Sequence, residues 1–162
     1  MHPSEGANVQ SSVIPIPADF LCYHFSLNHK PAHMRKKLLF ISDCLDSCPL
    51  LIDTLRERFD VEWFCEGAEA LLHLRTEASP NLVIVDPEIE GLADWELVRY
   101  LHSSKTCRGV PVIVISDRPF EENRHLYFRY GIMDYFRKPF LNEQLIDAVE
   151  GLLVADPLER IF

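Results

Sequence analysis

The sequence predicts an α/β fold: a doubly wound, five-stranded parallel sheet with helices on both faces. Three observations predict it. Short continuous apolar runs, Leu38-Leu39-Phe40-Ile41, Leu82-Val83-Ile84-Val85 and the stretch from Val110 to Ile115, have the character of strands buried on both faces. Segments with helical apolar spacing separate them, so that strand and helix alternate five times. The chain has 162 residues, 48% of them hydrophobic, enough to build one core of ordinary size.

The elements follow in order. After the first strand, Leu38 to Ile41, a helix is expected from about 47 to 58. Cys48, Leu51, Ile52, Leu55 and Phe59 recur there at helical spacing, and Pro49 suits the first turn. Val61 to Phe64 is a weak second strand, followed by a short helix over about 68–75. Leu82 to Val85 is the third strand, and the spacing of Trp95, Leu97, Val98 and Leu101 predicts a helix over 93–103. The Val110–Ile115 run is the fourth strand. A helix over 120–130 should end at Gly131. Tyr135-Phe136 begins a short fifth strand. Leu145, Ile146, Val149, Leu152 and Leu153 mark a last amphipathic helix over 142–153.

Composition narrows the function classes. The formal net charge is −9, which argues against direct nucleic-acid binding, because no local basic patch offsets it. No window approaches the roughly 20 apolar residues that a membrane span requires. The first basic residue is Lys30, so the start of the chain lacks the charged region of a secretory signal. The five cysteines, Cys22, Cys44, Cys48, Cys65 and Cys107, are odd in number and irregularly spaced. They are expected to be reduced thiols of a cytoplasmic protein, with Cys44 and Cys48 as small packing residues. Residues 1–33 carry only Glu5, Asp19 and Lys30 as charges and hold four prolines, so they form an irregular N-terminal extension. The folded domain then occupies 34–162. Cys22, His24, His29 and His33 in the extension do not have zinc-ligand spacing and are taken as scattered polar residues.

Open parallel sheets place their sites beyond the carboxyl ends of the strands, where the strand order reverses. Ser42 and Asp43 follow the first strand, Asp86 the third, Ser116 and Asp117 the fourth, and Lys138-Pro139 the fifth. Any one of these is unremarkable as a helix cap or a surface residue; their shared position is the signal. Asp43 and Asp86 would repel each other, and Mg²⁺, a hard cation with oxygen ligands, would relieve that. A carboxylate facing a metal and an ammonium can attack a phosphoryl group and form an acyl phosphate. Lys138 would neutralise the phosphoryl oxygens, and Ser116 would donate a hydrogen bond to them.

The stretches Lys37-Leu-Leu-Phe-Ile-Ser-Asp43, Leu82-Val-Ile-Val-Asp86, Pro111-Val-Ile-Val-Ile-Ser116 and Gly131-Ile-Met-Asp-Tyr-Phe-Arg-Lys-Pro-Phe140 resemble the receiver domains of two-component response regulators, such as the chemotaxis response regulator. The aromatic three residues before Lys-Pro is the most specific of these matches. The resemblance spans 36–153. It implies the flavodoxin-like receiver fold with strand order 2-1-3-4-5. It implies that Asp86 accepts a phosphoryl group from a histidine kinase or phosphotransfer protein, with Lys138 binding that group. Ser116 and Tyr135 would form the switch pair. Asp43, Asp86 and the backbone carbonyl of Glu88 would hold Mg²⁺, and the Lys138–Pro139 peptide would be cis. Such a domain is not a dedicated enzyme; autophosphatase activity is the only turnover it implies.

The departures are specific. The family usually has two acids after the first strand, whereas here the first position is Ser42, which weakens the expected metal pocket. Asp117 adds an acid beside the switch hydroxyl, and it or Glu88 could restore the missing charge. Glu90 stands where proline is common, and Tyr130 where a small residue is usual, which would set the fourth helix further from the sheet. The alternative reading is therefore a degenerate pseudo-receiver, an interaction module independent of phosphate. A phosphatase on a similar fold needs a second acid where Leu45 stands, and a flavin site needs glycine in the loop Cys44 to Cys48. Seven of the chain's aromatics fall within 120–140, and Phe128 is expected on the exposed side of the fourth helix. The face built from the fourth helix, fifth strand and fifth helix is where this family contacts a downstream protein or a second copy.

Overall fold

The computed structural model describes residues 35–154 apart from 45 and 47. The extension at 1–33, with its Cys22 and histidines, lies outside the described residues. Five strands and five helices alternate: β1 (Lys37–Ile41), α1 (Cys48–Arg56), β2 (Asp60–Phe64), α2 (Gly67–Thr76), β3 (Leu82–Val85), α3 (Glu96–Ser103), β4 (Val112–Ser116), α4 (Phe120–Arg129), β5 (Asp134–Arg137) and α5 (Asn142–Leu153). The strands pair in parallel in the order β2-β1-β3-β4-β5. Ile41 is level with Phe64 on one side and Val85 on the other, and Val114 is level with Val85 and Tyr135.

Alternate side chains of each strand enter different cores, as the period of two requires. Leu39, Ile41, Val83, Val85, Val112 and Val114 pack with Ala70, Leu71 and Leu74 of α2 and Leu97, Val98 and Leu101 of α3. Leu38, Phe40, Leu82, Ile84, Ile113 and Ile115 pack with Leu51, Ile52 and Leu55 of α1 and Leu145 and Val149 of α5. Because both faces of the central strands are covered, β1, β3 and β4 read as nearly unbroken apolar runs, whereas the edge strands β2 and β5 carry Asp60, Glu62, Asp134 and Arg137.

Three local findings refine the sequence reading. Helix α3 begins at Glu96 rather than 93, because Trp95 takes a left-handed conformation (φ 64°) that α-helical backbone cannot continue through. The Glu96 carboxylate instead accepts the Ala93 N–H at 3.1 Å, and the buried Trp95 indole stacks with Tyr130, ring centroids 6.4 Å apart. Gly131 follows α4 with φ 61°, the left-handed turn for which glycine is suited.

Cys44 and Cys48 correct the thiol expectation. They form a disulfide across the β1–α1 loop, with Cα atoms 5.7 Å apart, a separation that such a bond spans. The Cys48 N–H also donates to the Cys44 carbonyl at 3.3 Å. Cys48 still packs in the α1 core as expected, while Cys65 and Cys107 are free thiols. No helix among the described residues is long and apolar enough to cross a membrane.

Candidate functional site

The strand order reverses between β1 and β3, and the residues that follow these two neighbouring strands form the centre of the site. The Asp86 N–H extends the pairing, donating to the Ile41 carbonyl at 2.8 Å, so Asp86 stands at the level of Ser42. Only 5% of Asp86 is exposed. Its Oδ2 accepts a hydrogen bond from Lys138 Nζ at 2.5 Å, and its Oδ1 accepts the Glu88 N–H at 2.9 Å. Lys138 reaches this position because its own N–H donates to the Ser116 carbonyl at 2.8 Å, which prolongs the β4–β5 ladder to the rim. The Lys138–Pro139 peptide is cis, as the resemblance implied.

Ser116, fully buried at the end of β4, donates its hydroxyl hydrogen to Glu88 Oε2 at 2.8 Å and accepts the Arg118 N–H at 3.1 Å. The Glu88 carboxylate is held above the ordinary carboxylate range. Burial is the main cause and the neighbouring Asp86 charge adds to it, while Ser116 and Arg118 oppose it. Tyr135 on β5 donates to the Arg118 carbonyl at 2.6 Å and accepts from Asn123 Nδ2 at 2.9 Å. The two switch candidates are therefore joined through the backbone of Arg118.

Ser42 is fully buried and its hydroxyl accepts the Cys44 N–H at 3.4 Å, while its carbonyl accepts the Trp63 indole N–H at 2.9 Å. Asp43 is exposed. Its charge is felt at Cys65, whose thiol is pushed up chiefly by burial and further by Asp43, Glu69 and Glu66. Asp117 is largely exposed, with a carboxylate oxygen 3.9 Å from Lys138 Nζ. A cavity of about 330 Å³ opens beside these groups, lined by Cys44, Asp117, Lys138, Pro139, Phe140 and Asn142. A larger one, about 450 Å³, lies between α3 and the α4–β5 turn and has no carboxylate in its lining.

Mg²⁺ commonly uses one or two carboxylates and fills its remaining positions with water, and Asp43 and Asp86 are residues of that type. Asp43 and Asp86 follow the adjacent strands β1 and β3, and the Glu88 carbonyl follows two residues after Asp86. No group of three or more His, Cys, Asp or Glu side chains that could hold a metal forms among the described residues.

Comparison with known proteins agrees with this geometry. The profile described as "Response regulator receiver domain" matches residues 41–150. The chain belongs to the response regulator receiver domain family. Among curated relatives, the DNA-binding response regulator MtrA of Mycobacterium tuberculosis (strain ATCC 25618 / H37Rv) is 29% identical over 121 residues, which are 74% of this chain and 51% of that protein. The chain thus spans about half the length of the first curated relatives it matches. The non-phosphorylated HemR receiver domain from Leptospira biflexa superposes with a TM-score of 0.66 at 19% identity, covering 75% of this chain and 97% of that one. The receiver domain of sensor histidine kinase PA1611 from Pseudomonas aeruginosa PAO1, solved with a magnesium ion in its active site cleft, gives 0.63 at 17% identity, covering 75% and 99%. These likenesses show the receiver fold, with its strand order 2-1-3-4-5.

Of the residues singled out in the sequence, the receiver domain brings Asp86, Lys138, Ser116 and Glu88 into one bonded group and links Tyr135 to it. It leaves Asp43 and Asp117 exposed at the margin. Sequence reasoning missed Arg118, Asn123 and Trp63, and it gave Glu88 a role through its carbonyl or as a substitute for the missing acid, not as the partner of Ser116. Asn123 carried a signal: it is the buried residue of α4, a polar side chain on the face shared with Phe120 and Tyr127. Arg118 carried none, because its contribution is made by its backbone. Phe128 is 65% exposed, with the Arg124 guanidinium over its ring at 5.9 Å, in line with expectation.

Proposed function

We propose that this receiver domain is a phosphoacceptor that takes a phosphoryl group on Asp86 from a histidine kinase or phosphotransfer protein. The observation that carries the reading is the buried Asp86 carboxylate bonded to Lys138 at the point where strand order reverses. A carboxylate oxygen of Asp86 attacks phosphorus, the P–N bond of the phosphohistidine breaks, and its electron pair stays on the imidazole nitrogen. Lys138 releases its bond to Asp86 as negative charge builds on the phosphoryl oxygens and follows that charge. Asp43, Asp86 and the Glu88 carbonyl would hold Mg²⁺, which would supply further neutralisation of those oxygens. Ser116 then bonds a phosphoryl oxygen, and the Arg118 backbone transmits the change to Tyr135 and the face of α4, β5 and α5.

A downstream protein or a second copy of the chain would meet that face, where Phe128 is exposed. The charge of −9 argues against direct contact between this domain and nucleic acid. We place the domain in the cytoplasm, where its phosphoryl donors act, and assign it no turnover beyond hydrolysis of its own acyl phosphate. The second reading, a pseudo-receiver independent of phosphate, is favoured by Ser42 in place of an acid. Incubation with acetyl phosphate and Mg²⁺ followed by intact mass decides between them. Gain of one phosphoryl group that is lost in Asp86→Asn supports the phosphoacceptor; no gain at high Mg²⁺ supports the pseudo-receiver.

A further inference from the structure

The Glu88 side chain takes no part in the proposed phosphoryl transfer, yet it holds the hydroxyl that the phosphoryl group needs. Ser116 has one hydroxyl hydrogen, and it is given to Glu88 Oε2 at 2.8 Å. The other carboxylate oxygen, Oε1, is buried without a hydrogen-bond partner, and the nearest cation to it is Arg118, with Nε at 3.7 Å. The Arg118 guanidinium is half exposed and reaches Asp94 Oδ2 at 3.0 Å. Glu88 is therefore an anion lying between a hydroxyl it occupies and a guanidinium it has not fully engaged.

We infer that the Glu88 carboxylate is an internal competitor of the phosphoryl group for Ser116, and that Arg118 receives it when it is displaced. The inference rests on Asp86 being the phosphoacceptor. A phosphoryl group on Asp86 brings about −1.5 to −2 charges next to Glu88. Like charges repel in a partly buried site, and Ser116 cannot donate to both anions. Glu88 swings toward Arg118, where its second oxygen gains the partner it lacks. Until then the carboxylate raises the barrier to an incoming phosphodonor anion and keeps the hydroxyl engaged. Glu88 is thus a positioning residue that sets the rate of phosphorylation and its coupling to the switch.

The test uses the full chain with acetyl phosphate and Mg²⁺, reading initial rates by intact mass over a range of donor concentrations. Glu88→Gln removes the charge and keeps an acceptor for Ser116, so it should lower the apparent KM for the donor about fivefold. Glu88→Ala also frees the hydroxyl and should raise the maximal rate further, a gain that Ser116→Ala abolishes in the double variant. Rates of Glu88→Ala at or below those of the unaltered chain would overturn the inference. If no form accepts a phosphoryl group, the phosphoacceptor reading fails instead, and urea unfolding still decides whether the contact exists. Non-additive midpoint shifts for Glu88→Ala, Ser116→Ala and their double variant support the contact; additive shifts overturn it.

Discussion

The Tyr135 hydroxyl donates to the Arg118 carbonyl at 2.6 Å. The N–H of the same Arg118 donates to Ser116 Oγ at 3.1 Å. A change at the Ser116 hydroxyl is thus one residue away from the tyrosine, with no side chain as intermediary. Tyr135→Phe removes one acceptor of the Asn123 amide and one donor to the Arg118 carbonyl. The expected loss is about 1–2 kcal/mol in urea unfolding, and Asn123→Ala in the same background should cost less than it does alone. Full additivity of the two substitutions would show that the bridge is not formed in solution.

The Asp86–Lys138 pair lies in a setting where removing one partner strands a charge. The Asp86 side chain is 7% exposed and that of Lys138 16%. Lys138→Met should destabilise the domain by on the order of 3 kcal/mol and abolish phosphoryl gain on Asp86. Asp86→Asn also abolishes it, but should cost less stability, since the ammonium is the more exposed partner. Equal losses in thermal or urea unfolding would contradict this asymmetry.

The pH dependence of stability follows from Glu88. Its carboxyl is raised in the folded chain, chiefly by burial, so the protonated form is the one favoured by folding. The contribution is fully present below the unfolded value near 4.5 and is lost as pH rises through the higher folded value. Glu88→Gln, which mimics the protonated side chain, should therefore gain in melting temperature over the unaltered chain as pH rises above that window. The gain should vanish at lower pH. A difference independent of pH would show that burial does not act on this carboxyl.

Position 42 offers a direct test of the metal pocket. Ser42→Asp restores the second acid after β1 and should tighten Mg²⁺ binding about tenfold, one more carboxylate being available to the cation. Trp63, bonded through its indole N–H to the Ser42 carbonyl, provides the fluorescence signal, with Trp63→Phe as the control. Unchanged affinity would place the cation elsewhere.

The Cys44–Cys48 bond closes a short loop, so its reduction should lower stability by about 2 kcal/mol at most. Alkylation of the denatured chain without reductant should label two fewer thiols than after reduction, both mapping to the Cys44 and Cys48 peptides. Equal labelling would show that the pair is reduced in the protein tested.

The alternation of five strands and helices was legible in the sequence because strands covered on both faces carry no polar residues, and Leu38 to Ile41 and Leu82 to Val85 show this without ambiguity. The positions of Asp86, Ser116 and Lys138 were legible for a related reason: in a parallel sheet every strand runs toward the same rim, so the residue after each strand is a candidate. Three features were decided only by the tertiary structure. The start of α3 depended on the left-handed Trp95, whose ring packs against Tyr130 at the end of α4. The disulfide depended on the Cα atoms of Cys44 and Cys48 coming within 5.7 Å of each other. The direction of the Glu88 side chain depended on a hydroxyl 28 residues away in sequence. Periodicity reports which face of an element is covered, and that is a local property of the chain. The partner of a polar group at the rim is set by the distance between strand ends, which exists only once the sheet is assembled.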